Sequence, residues 1–347
     1  MKWGEPPSSP HLLFARTIFG LYKQSRARQR ADPWPLPTSP RTAPLLSRLG
    51  SSHGIGKNGL IISADTVRQI AACDEVSAVE NVWPKGTRLK NQVALITGGS
   101  RGIGRAMALC FAAEGARVVI IARDAGHLRV VEKEIADNGN APALGIVCDV
   151  ADSAAVRKMA AEAERVCGRI DILVNNAGYF PALHPIHEMS DEEWEYTLRA
   201  NLTSAFYVSR AVLPGMIERR HGSVIMISSS AAKLAYGLGT PYSAAKAGML
   251  GLMRALAGEA GPHGVRVNAL CPGLVQSTEM FHKVNNELER AVGLKPADRL
   301  AATKESSLLR KLLEPEDVAR AALFLASADS AAITGQTMNV DAGIRWD

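Results

Sequence analysis

The sequence lacks long hydrophobic runs, since no apolar stretch reaches the roughly 18 residues that a membrane-spanning helix needs, and we expect no membrane partner. It has only 5 cysteines, which are scattered and never spaced Cys-x-x-Cys, and its 8 histidines show no metal-ligand spacing. These absences argue against a disulfide framework and a bound metal. They favour the reducing environment of the cytoplasm.

Net charge is also missing from most of the chain. Residues 89–347 hold 28 basic and 28 acidic residues, whereas residues 1–88 hold 12 basic and 6 acidic ones. The larger part therefore has no basic excess of the kind that binds nucleic acid. Of the 347 residues, 47% are hydrophobic and 21% are charged, which allows a large core and excludes global disorder.

Residues 1–88 differ in composition from the rest. They contain 9 of the 18 prolines, and the segment 31–44 is proline-rich, which predicts an extended and unpacked chain. Three interpretations stay open: a targeting sequence, a basic interaction tail, or translated sequence upstream of the true start, which we favour. A helix is predicted over 63–82. We expect a chain that starts at Arg88 to fold and keep full activity.

From residue 89 onward, short apolar runs alternate with stretches of helical period. The runs predict strands at 93–96, 117–121, 143–147, 170–174, 223–227, 265–270 and 336–340. Helices are predicted over 103–113, 154–167, 191–219, 243–260 and 315–326. Continuously apolar strands separated by helices indicate a parallel sheet covered on both faces. We expect one α/β domain over 89–347, a doubly wound, Rossmann-like sheet of about seven strands with its sites at their carboxyl ends.

The first strand leads into a glycine-rich loop, Thr97-Gly-Gly-Ser-Arg-Gly-Ile-Gly104, and a helix follows. Gly98 would allow the sharp turn, Gly102 a close approach of the main chain to a pyrophosphate, and Gly104 close packing of helix on strand. The N–H groups and positive dipole end of the helix suit phosphates. A loop in this place predicts a dinucleotide site.

The end of the second strand bears on the choice of cofactor. NAD-binding folds usually place an acidic residue there for the ribose 2′-hydroxyl, but this chain has Ala122 and then Arg123. Arg101 lies in the glycine loop, and two guanidinium groups suit a 2′-phosphate. Asp124 comes one residue too late unless the strand register differs. We therefore predict NADP, with NAD as the alternative.

Tyr242 and Lys246 are one helical turn apart, which places a phenol and an ammonium on the same face. The ammonium is expected to lower the pKa of the phenol, so that the tyrosine can exchange a proton with a carbonyl oxygen near neutral pH. Ser229 lies 13 residues upstream, at the end of a predicted strand. Its neighbours Ser228 and Ser230 leave open a shift of one position for the serine.

With these motifs the chain resembles the short-chain dehydrogenase/reductase family from residue 89 to residue 347. The matching pieces are the glycine loop, Cys148-Asp149-Val150, Asn175-Asn-Ala-Gly178, Asn201, Ser229, Tyr242-Ser-Ala-Ala-Lys246 and Cys271-Pro-Gly273. Within the family, the chain resembles NADP-preferring 3-oxoacyl-thioester reductases and sugar or polyol dehydrogenases. The extension before residue 89 has no counterpart in the usual family pattern.

The resemblance implies a catalytic role for four residues. Tyr242 would be the general acid/base, Ser229 would hold the substrate oxygen, and Lys246 would bind the nicotinamide ribose and bias the tyrosine. Asn201 would hold a water that links Lys246 to solvent. On a helix, Asn201 could instead bend the helix or satisfy a main-chain group.

The resemblance also implies a set of cofactor-binding residues. They are Gly98, Ser100, Arg101, Gly102, Ile103, Gly104, Arg123, Asp149, Val150, Asn176, Ala177, Gly178, Tyr242, Lys246, Pro272, Gly273, Val275 and Ser277. Asp149 would contact the adenine, and the loop after the sixth strand would seat the carboxamide end, with Ser277 or Thr278 as a hydrogen-bonding partner. We interpret Asn175 and Asn176 as architectural more than chemical.

Substrate contacts are expected from the loops 179–183 and 231–241 and from the segment 274–313. The first two offer an apolar wall of Tyr179, Phe180, Leu234 and Tyr236. The third mixes charges with Met280, Phe281, Val284, Leu288, Val292, Leu300 and Leu308, which is typical of an amphipathic lid that excludes water. The expected substrate is a ketone or a secondary alcohol.

We therefore predict an enzyme that transfers hydride between NADP(H) and a ketone or secondary alcohol. A 3-oxoacyl-thioester reductase and a sugar or polyol dehydrogenase both stay open. The alternative from another class is a catalytically silent NADP-binding scaffold or sensor, which could dispense with Tyr242 and Lys246.

Two helical stretches suggest self-association. The helix after Tyr242 carries a stripe of small residues, Ala244, Gly248, Gly251 and Ala255. The stretch 191–219 carries Trp194, Leu198, Leu202, Phe206 and Leu213 near one helical stripe. The family resemblance implies homodimers or homotetramers that pair these helices across a two-fold axis. Packing of the small residues against the chain's own sheet stays the alternative.

Overall fold

The structure is a computed structural model, and it describes residues 83–234 and 236–344. The extension up to residue 82, with the helix predicted over 63–82, lies outside the described residues. Parallel strands form one sheet in the order β3-β2-β1-β4-β5-β6-β7. They are β1 Val93–Thr97, β2 Arg117–Ala122, β3 Leu144–Val147, β4 Ile172–Asn175, β5 Gly222–Ile227, β6 Val265–Pro272 and β7 Thr337–Val340. The predicted α/β class and the doubly wound, seven-stranded sheet are confirmed.

Nine α-helices lie in the described ranges. They are α1 Gly102–Ala113, α2 Ala125–Asp137, α3 Ser153–Cys167, α4 Asp191–Leu198, α5 Ser204–Glu218, α6 Thr240–Ala260, α7 Glu279–Val292, α8 Pro296–Ser306 and α9 Pro315–Ala326. The single helix predicted over 191–219 is wrong in detail, because a π-helical turn, Arg199–Thr203, separates α4 from α5. None of the described helices has both the length and the apolar character needed to cross a membrane.

Helices cover both faces of the sheet. Residues of α1, α2 and α9 share one buried apolar cluster, and residues of α3, α5 and α6 share the other. Strand β1 is buried along its whole length. Strands covered on both faces need apolar residues at every position, which is why they appear as unbroken runs in the sequence. Each fully buried aliphatic side chain contributes about 1.5–3 kcal/mol to folding.

Between β6 and α9 the chain leaves the sheet and returns to it. Val275 and Leu313 pair as an isolated parallel bridge, and the N–H of Gln276 donates to the carbonyl of Leu313 at 2.9 Å. Helices α7 and α8 lie between these two points, and we call residues 275–313 the lid segment. Of the apolar positions expected there, Val284, Leu288 and Val292 are buried, whereas Met280 and Leu308 are exposed.

Residues 83–88 contact the domain that follows them. The guanidinium of Arg88 binds the buried carboxylate of Glu114, with Nε–Oε1 at 2.9 Å and Nη2–Oε1 at 2.5 Å. The Cζ atom of Arg320 lies 5.2 Å from the ring centroid of Trp83. The boundary expected between residues 88 and 89 stays a prediction, and these contacts show where it can be tested.

Candidate active site

One cleft at the carboxyl ends of the strands brings the expected site together. Its volume is about 1490 Å³. Every expected cofactor-binding residue lines it, and so does Ser229, whereas Asn201 is not among the lining residues. The loops after the strands meet here because parallel strands all end at the same edge. The sequence reasoning missed some of the lining residues, among them Tyr196, Glu279, Lys283 and Arg299.

The glycine loop has conformations that favour glycine. Gly98 and Gly102 have φ of +65° and +53°, in the left-handed region. A Cβ on Gly104 would lie 2.0 Å from the carbonyl oxygen of Gly98, so α1 packs directly on the loop. Nδ2 of Asn176 donates to the carbonyls of Thr97 (2.9 Å) and Gly98 (3.2 Å) and braces the loop from the end of β4.

The start of α1 fits a phosphate. Its N-cap residue, Arg101, makes no capping hydrogen bond through its side chain. The first-turn N–H groups therefore have no side-chain cap, and they lie at the positive end of the helix dipole. Such an end binds the pyrophosphate of a dinucleotide. The residues present thus fit the cofactor that the sequence predicts.

The end of β2 has no uncommitted carboxylate. The strand ends at Ala122, and Arg123 is exposed and lines the cleft. Asp124 instead caps α2, accepting from the N–H of His127 at 2.9 Å, and this bond holds the pKa of its carboxyl below its usual value. Arg101 forms an ion pair with Glu279, the first residue of α7. Binding of a 2′-phosphate by Arg101 or Arg123 stays a prediction.

The catalytic cluster combines α6 with the turn after β5. Tyr242 and Lys246 lie on α6, and Ser229 shares a side-chain hydrogen bond with Tyr242. The Oγ of Ser229 also accepts from the N–H of Ala231 at 3.1 Å. Ser228 is buried and donates to the carbonyl of Lys246 at 2.8 Å. Of these two adjacent serines, Ser229 is therefore the one that faces the tyrosine.

Burial controls the electrostatics of this cluster. It raises the pKa of Tyr242 to about 12, although the hydrogen bond with Ser229 acts in the opposite direction. It lowers the pKa of Lys246 to about 8. The ammonium donates to the carbonyl of Ile227 at 2.8 Å and lies 5.7 Å from the ring centroid of Tyr242. In the chain by itself, loss of hydration therefore sets the direction of the shift of the Tyr242 pKa, and the lowering of that pKa by Lys246 stays a prediction.

Asn201 lies in the π-helical turn and binds main-chain groups. Its Nδ2 donates to the carbonyls of Tyr179 and Thr197, both at 2.9 Å, and its Oδ1 accepts from the N–H of Tyr179 at 3.1 Å. A Cβ on Gly178 would lie 3.0 Å from this Oδ1. Asn201 therefore positions the loop after β4. Its expected water-holding role stays a prediction.

The substrate end of the cleft has aromatic walls. The ring centroid of Phe180 lies 5.1 Å from that of Tyr242 and 6.1 Å from that of Tyr236. Tyr179 and Tyr196 form an edge-on pair at 4.9 Å. Sequence reasoning missed Tyr196 because none of the motifs includes it, and only the fold brings it to the cleft.

The loop after β6 completes the lining. Thr278 caps α7 by accepting from the N–H of Phe281 at 3.0 Å, and its hydroxyl donates to the carbonyl of Val275 at 3.3 Å. This engagement favours Ser277 over Thr278 as the hydrogen-bonding partner of the cofactor. In the part of the chain that the structure describes, no group of three or more His, Cys, Asp or Glu side chains could hold a metal ion.

The fold and this cleft define a dinucleotide-dependent oxidoreductase class, and comparison with known proteins agrees. A family model described as short chain dehydrogenase matches residues 92–289. The chain belongs to this family, so the protein is an enzyme of the dehydrogenase and reductase type.

The relatives include a polyol dehydrogenase and ketoreductases. The chain is 38% identical over 257 residues to galactitol 2-dehydrogenase of Agrobacterium fabrum, covering 74% of this chain and 98% of that protein. It is 34% identical over 256 residues to the 3-oxoacyl-[acyl-carrier-protein] reductase FabG of Escherichia coli, with 74% and 98% covered. A solved variant of actinorhodin polyketide ketoreductase with NADPH has a TM-score of 0.70 at 33% identity, with 75% and 98% covered. The expected resemblance to ketoreductases and polyol dehydrogenases is confirmed.

Proposed function

We propose that this protein transfers hydride between NADP(H) and a ketone or secondary alcohol, with Tyr242 as the general acid/base. The observation that carries the proposal is the side-chain hydrogen bond between Ser229 and Tyr242 in the cleft that the glycine loop also lines. A phenol and a hydroxyl that face each other in this way can bind one substrate oxygen together.

The side chains of the cluster have separate roles in the transfer of the proton. The dinucleotide, when bound, supplies or accepts the hydride. In the reducing direction the phenol of Tyr242 stays protonated until it transfers its proton to the carbonyl oxygen of the substrate. Ser229 donates a hydrogen bond to the same oxygen. A protonated Lys246 stabilises the phenolate that this transfer leaves, and burial strengthens that interaction.

We favour NADP over NAD. Arg123 lines the cleft directly after β2, and the carboxylate of the next residue, Asp124, already caps α2. A guanidinium in this place suits a 2′-phosphate better than a ribose hydroxyl. The similarity to a ketoreductase solved with NADPH supports the same choice.

The aromatic walls favour a ketone with an apolar body, as a ketoreductase would bind. A polyol would lose water from several hydroxyls against the rings of Phe180 and Tyr236, which is costly. The polyol dehydrogenase is therefore the second candidate within the enzyme class.

We also propose that the protein is a homodimer or homotetramer and that it works in the cytoplasm. The free thiols of Cys110, Cys148, Cys167 and Cys271 support the cytoplasmic location, because the cytoplasm is a reducing environment.

The test is a panel of ketones and secondary alcohols, read by nicotinamide absorbance with NADPH, NADH and the oxidised forms. We expect NADPH-dependent turnover of apolar ketones. Tyr242→Phe should keep the Kd for NADPH and lower kcat by at least about a hundredfold, the share of a general acid. Tight NADPH binding without turnover of any compound would favour the silent scaffold. A variant within a few-fold of wild type would remove Tyr242 from its role.

A further inference from the structure

A buried arginine lies in the wall of the cleft, and the proposed hydride transfer does not use it. Arg299, in α8, is 8% exposed and lines the cleft. A guanidinium stays charged in proteins, and burying a charge is costly unless it is paired. The residue therefore needs a partner.

The described part of the chain provides one partner, and it is uncharged. Nη1 of Arg299 donates to Oδ1 of Asn285 at 2.5 Å. Asn285 is itself 3% exposed. The other electrostatic neighbour of the guanidinium is the phenol of Tyr236. No carboxylate of the described residues forms an ion pair with Arg299.

Other arginines near the lid segment show the usual arrangement. Arg290 is more than half exposed and pairs with Glu287 at 2.7 Å, and Arg101 pairs with Glu279. Glu305, which also lines the cleft, is exposed and makes no pair with Arg299. Arg299 thus differs from its neighbours in being both buried and without a carboxylate.

Arg299 lines the same cleft as the aromatic rings that pack against the reacting tyrosine. Tyr236 lines the same cleft as Arg299 and packs edge-on against Phe180, which in turn packs against Tyr242. A ligand that reached both ends of this wall would present a carbonyl to Tyr242, an apolar body to the rings and an anionic group to Arg299.

We infer that the substrate carries a carboxylate, which Arg299 binds through the donors that Asn285 leaves unused. The inference rests on the proposed function and names its substrate class, an oxo acid or hydroxy acid with an apolar body. A planar carboxylate matches the fork of a guanidinium with two parallel hydrogen bonds. The bound acid supplies the negative charge that the protein does not place there, so acid and arginine neutralise each other in the cleft.

The kinetic test compares acids with their esters. Phenyl-substituted 2-, 3- and 4-oxo acids and their methyl esters are assayed with wild type, Arg299→Met and the control Lys304→Met, an exposed charge on the same helix. Wild type should prefer its best acid over the ester by about 10- to 100-fold in kcat/KM, the range of charge-assisted hydrogen bonds. Arg299→Met should lose this preference, mainly through a higher KM for the acids. Lys304→Met should behave as wild type.

Equal use of acid and ester by wild type would overturn the inference, and so would an unchanged preference in Arg299→Met. If Arg299→Met fails to fold, Arg299→Lys replaces it, because it keeps the charge and loses the fork. That variant should lose most of the preference, and full retention would also overturn the inference.

A binding measurement separates the failure of this inference from failure of the proposed function. Phenylacetate and methyl phenylacetate, which cannot react, are titrated calorimetrically into the full chain with and without NADP. Phenylacetate should bind wild type at least about tenfold more tightly than its ester, and Arg299→Met should remove the difference. Binding of this kind without turnover of any ketone would reject the reaction and keep the carboxylate site. Turnover of ketones without any advantage for acids would keep the proposed reaction and reject the carboxylate site.

Discussion

The hydroxyl of Ser228 donates a hydrogen bond of 2.8 Å to the main-chain carbonyl of Lys246 and so ties the end of β5 to α6. The next residue, Ser229, shares its hydrogen bond with Tyr242 instead. Adjacent serines at a strand end point to opposite sides, as successive residues in extended chain do. One of them holds the catalytic helix in place, and the other faces the reacting phenol.

This pair can be separated by experiment. Ser228→Ala removes a buried hydrogen bond to the carbonyl of Lys246, and Ser229→Ala removes a cap, so each should cost about 1 kcal/mol in the free energy of unfolding. Turnover should fall about a hundredfold only in Ser229→Ala. Urea denaturation and kcat measured on both variants check this. Equal losses of kcat would mean that Ser229 has no special role.

The lowered pKa of Lys246 predicts a dependence of stability on pH. Its folded pKa is about 8, against an ordinary value of 10.5. Between pH 8 and pH 10 the unfolded chain therefore keeps a proton that the folded chain has released. The contribution of Lys246 to stability is lowest below pH 8 and rises with pH through this window. The difference in unfolding free energy between wild type and Lys246→Met should rise accordingly in cofactor-free protein, whereas a flat difference would contradict the burial of the charge.

Cofactor choice should depend on the two arginines at the glycine loop and β2. Arg123→Asp combined with Arg101→Ser should raise KM for NADPH far more than KM for NADH, since each charge-assisted contact is worth about 1.5–3 kcal/mol. The single variants show which of the two arginines binds the 2′-phosphate. Arg101 would have to break its ion pair with Glu279 to do so. Arg129→Asp, an exposed position that does not line the cleft, is the control. An unchanged ratio of the two KM values would exclude both arginines.

The boundary of the catalytic domain can be located by truncation. Chains whose first native residue is Trp83, Arg88 or Leu89 are compared by denaturation and kcat. We expect the chains that start at Trp83 and Arg88 to be active, as the sequence predicts for Arg88. The chain that starts at Leu89 should lose about 2 kcal/mol, because Glu114, which is 7% exposed, loses its cationic partner. Loss of activity already at Arg88 would place the boundary earlier.

Self-association should depend on α6. A Cβ on Gly251 would meet nothing within 4 Å, so a large side chain fits there in the single chain, whereas Gly248 is covered by Leu202. Phe206, on the neighbouring α5, is 39% exposed. Light scattering should show a dimer or tetramer for wild type and a monomer for Gly251→Trp. Val130→Trp, an exposed position on α2, should leave the assembly intact. A fully active wild-type monomer at micromolar concentration would reject the interface.

The sequence is most informative where one local rule decides the structure. The strands appear as unbroken apolar runs because both faces of the sheet are buried. Helix α9 is predicted with its observed ends, 315 and 326, because Pro315 begins it and Glu314 and Asp317 form a capping box. Helix α2 was missed because it is mainly polar and buries only Leu128, Val131 and Ile135.

The sequence is least informative where distant segments meet. Arg299 looks like any surface arginine until α7 and α8 fold over the cleft and bury it. The same holds for the pKa of Tyr242, since spacing places Lys246 on the same helix face but does not show how strongly burial acts on the phenol. Asn201 matched a family position, whereas the π-helical turn that lets it bind Tyr179 depends on tertiary contacts.

The bridge between Val275 and Leu313 holds the two ends of the lid segment side by side, whatever lies between them. Because this bridge joins both ends, a change in the length of the segment costs little chain entropy. Exposed positions of the segment can therefore vary freely, whereas Val284, Leu288 and Val292 share a buried cluster with Tyr242 and are constrained by it. The lid segment thus combines fixed ends and a buried face that packs with the catalytic tyrosine with an outer face on which substitutions are tolerated.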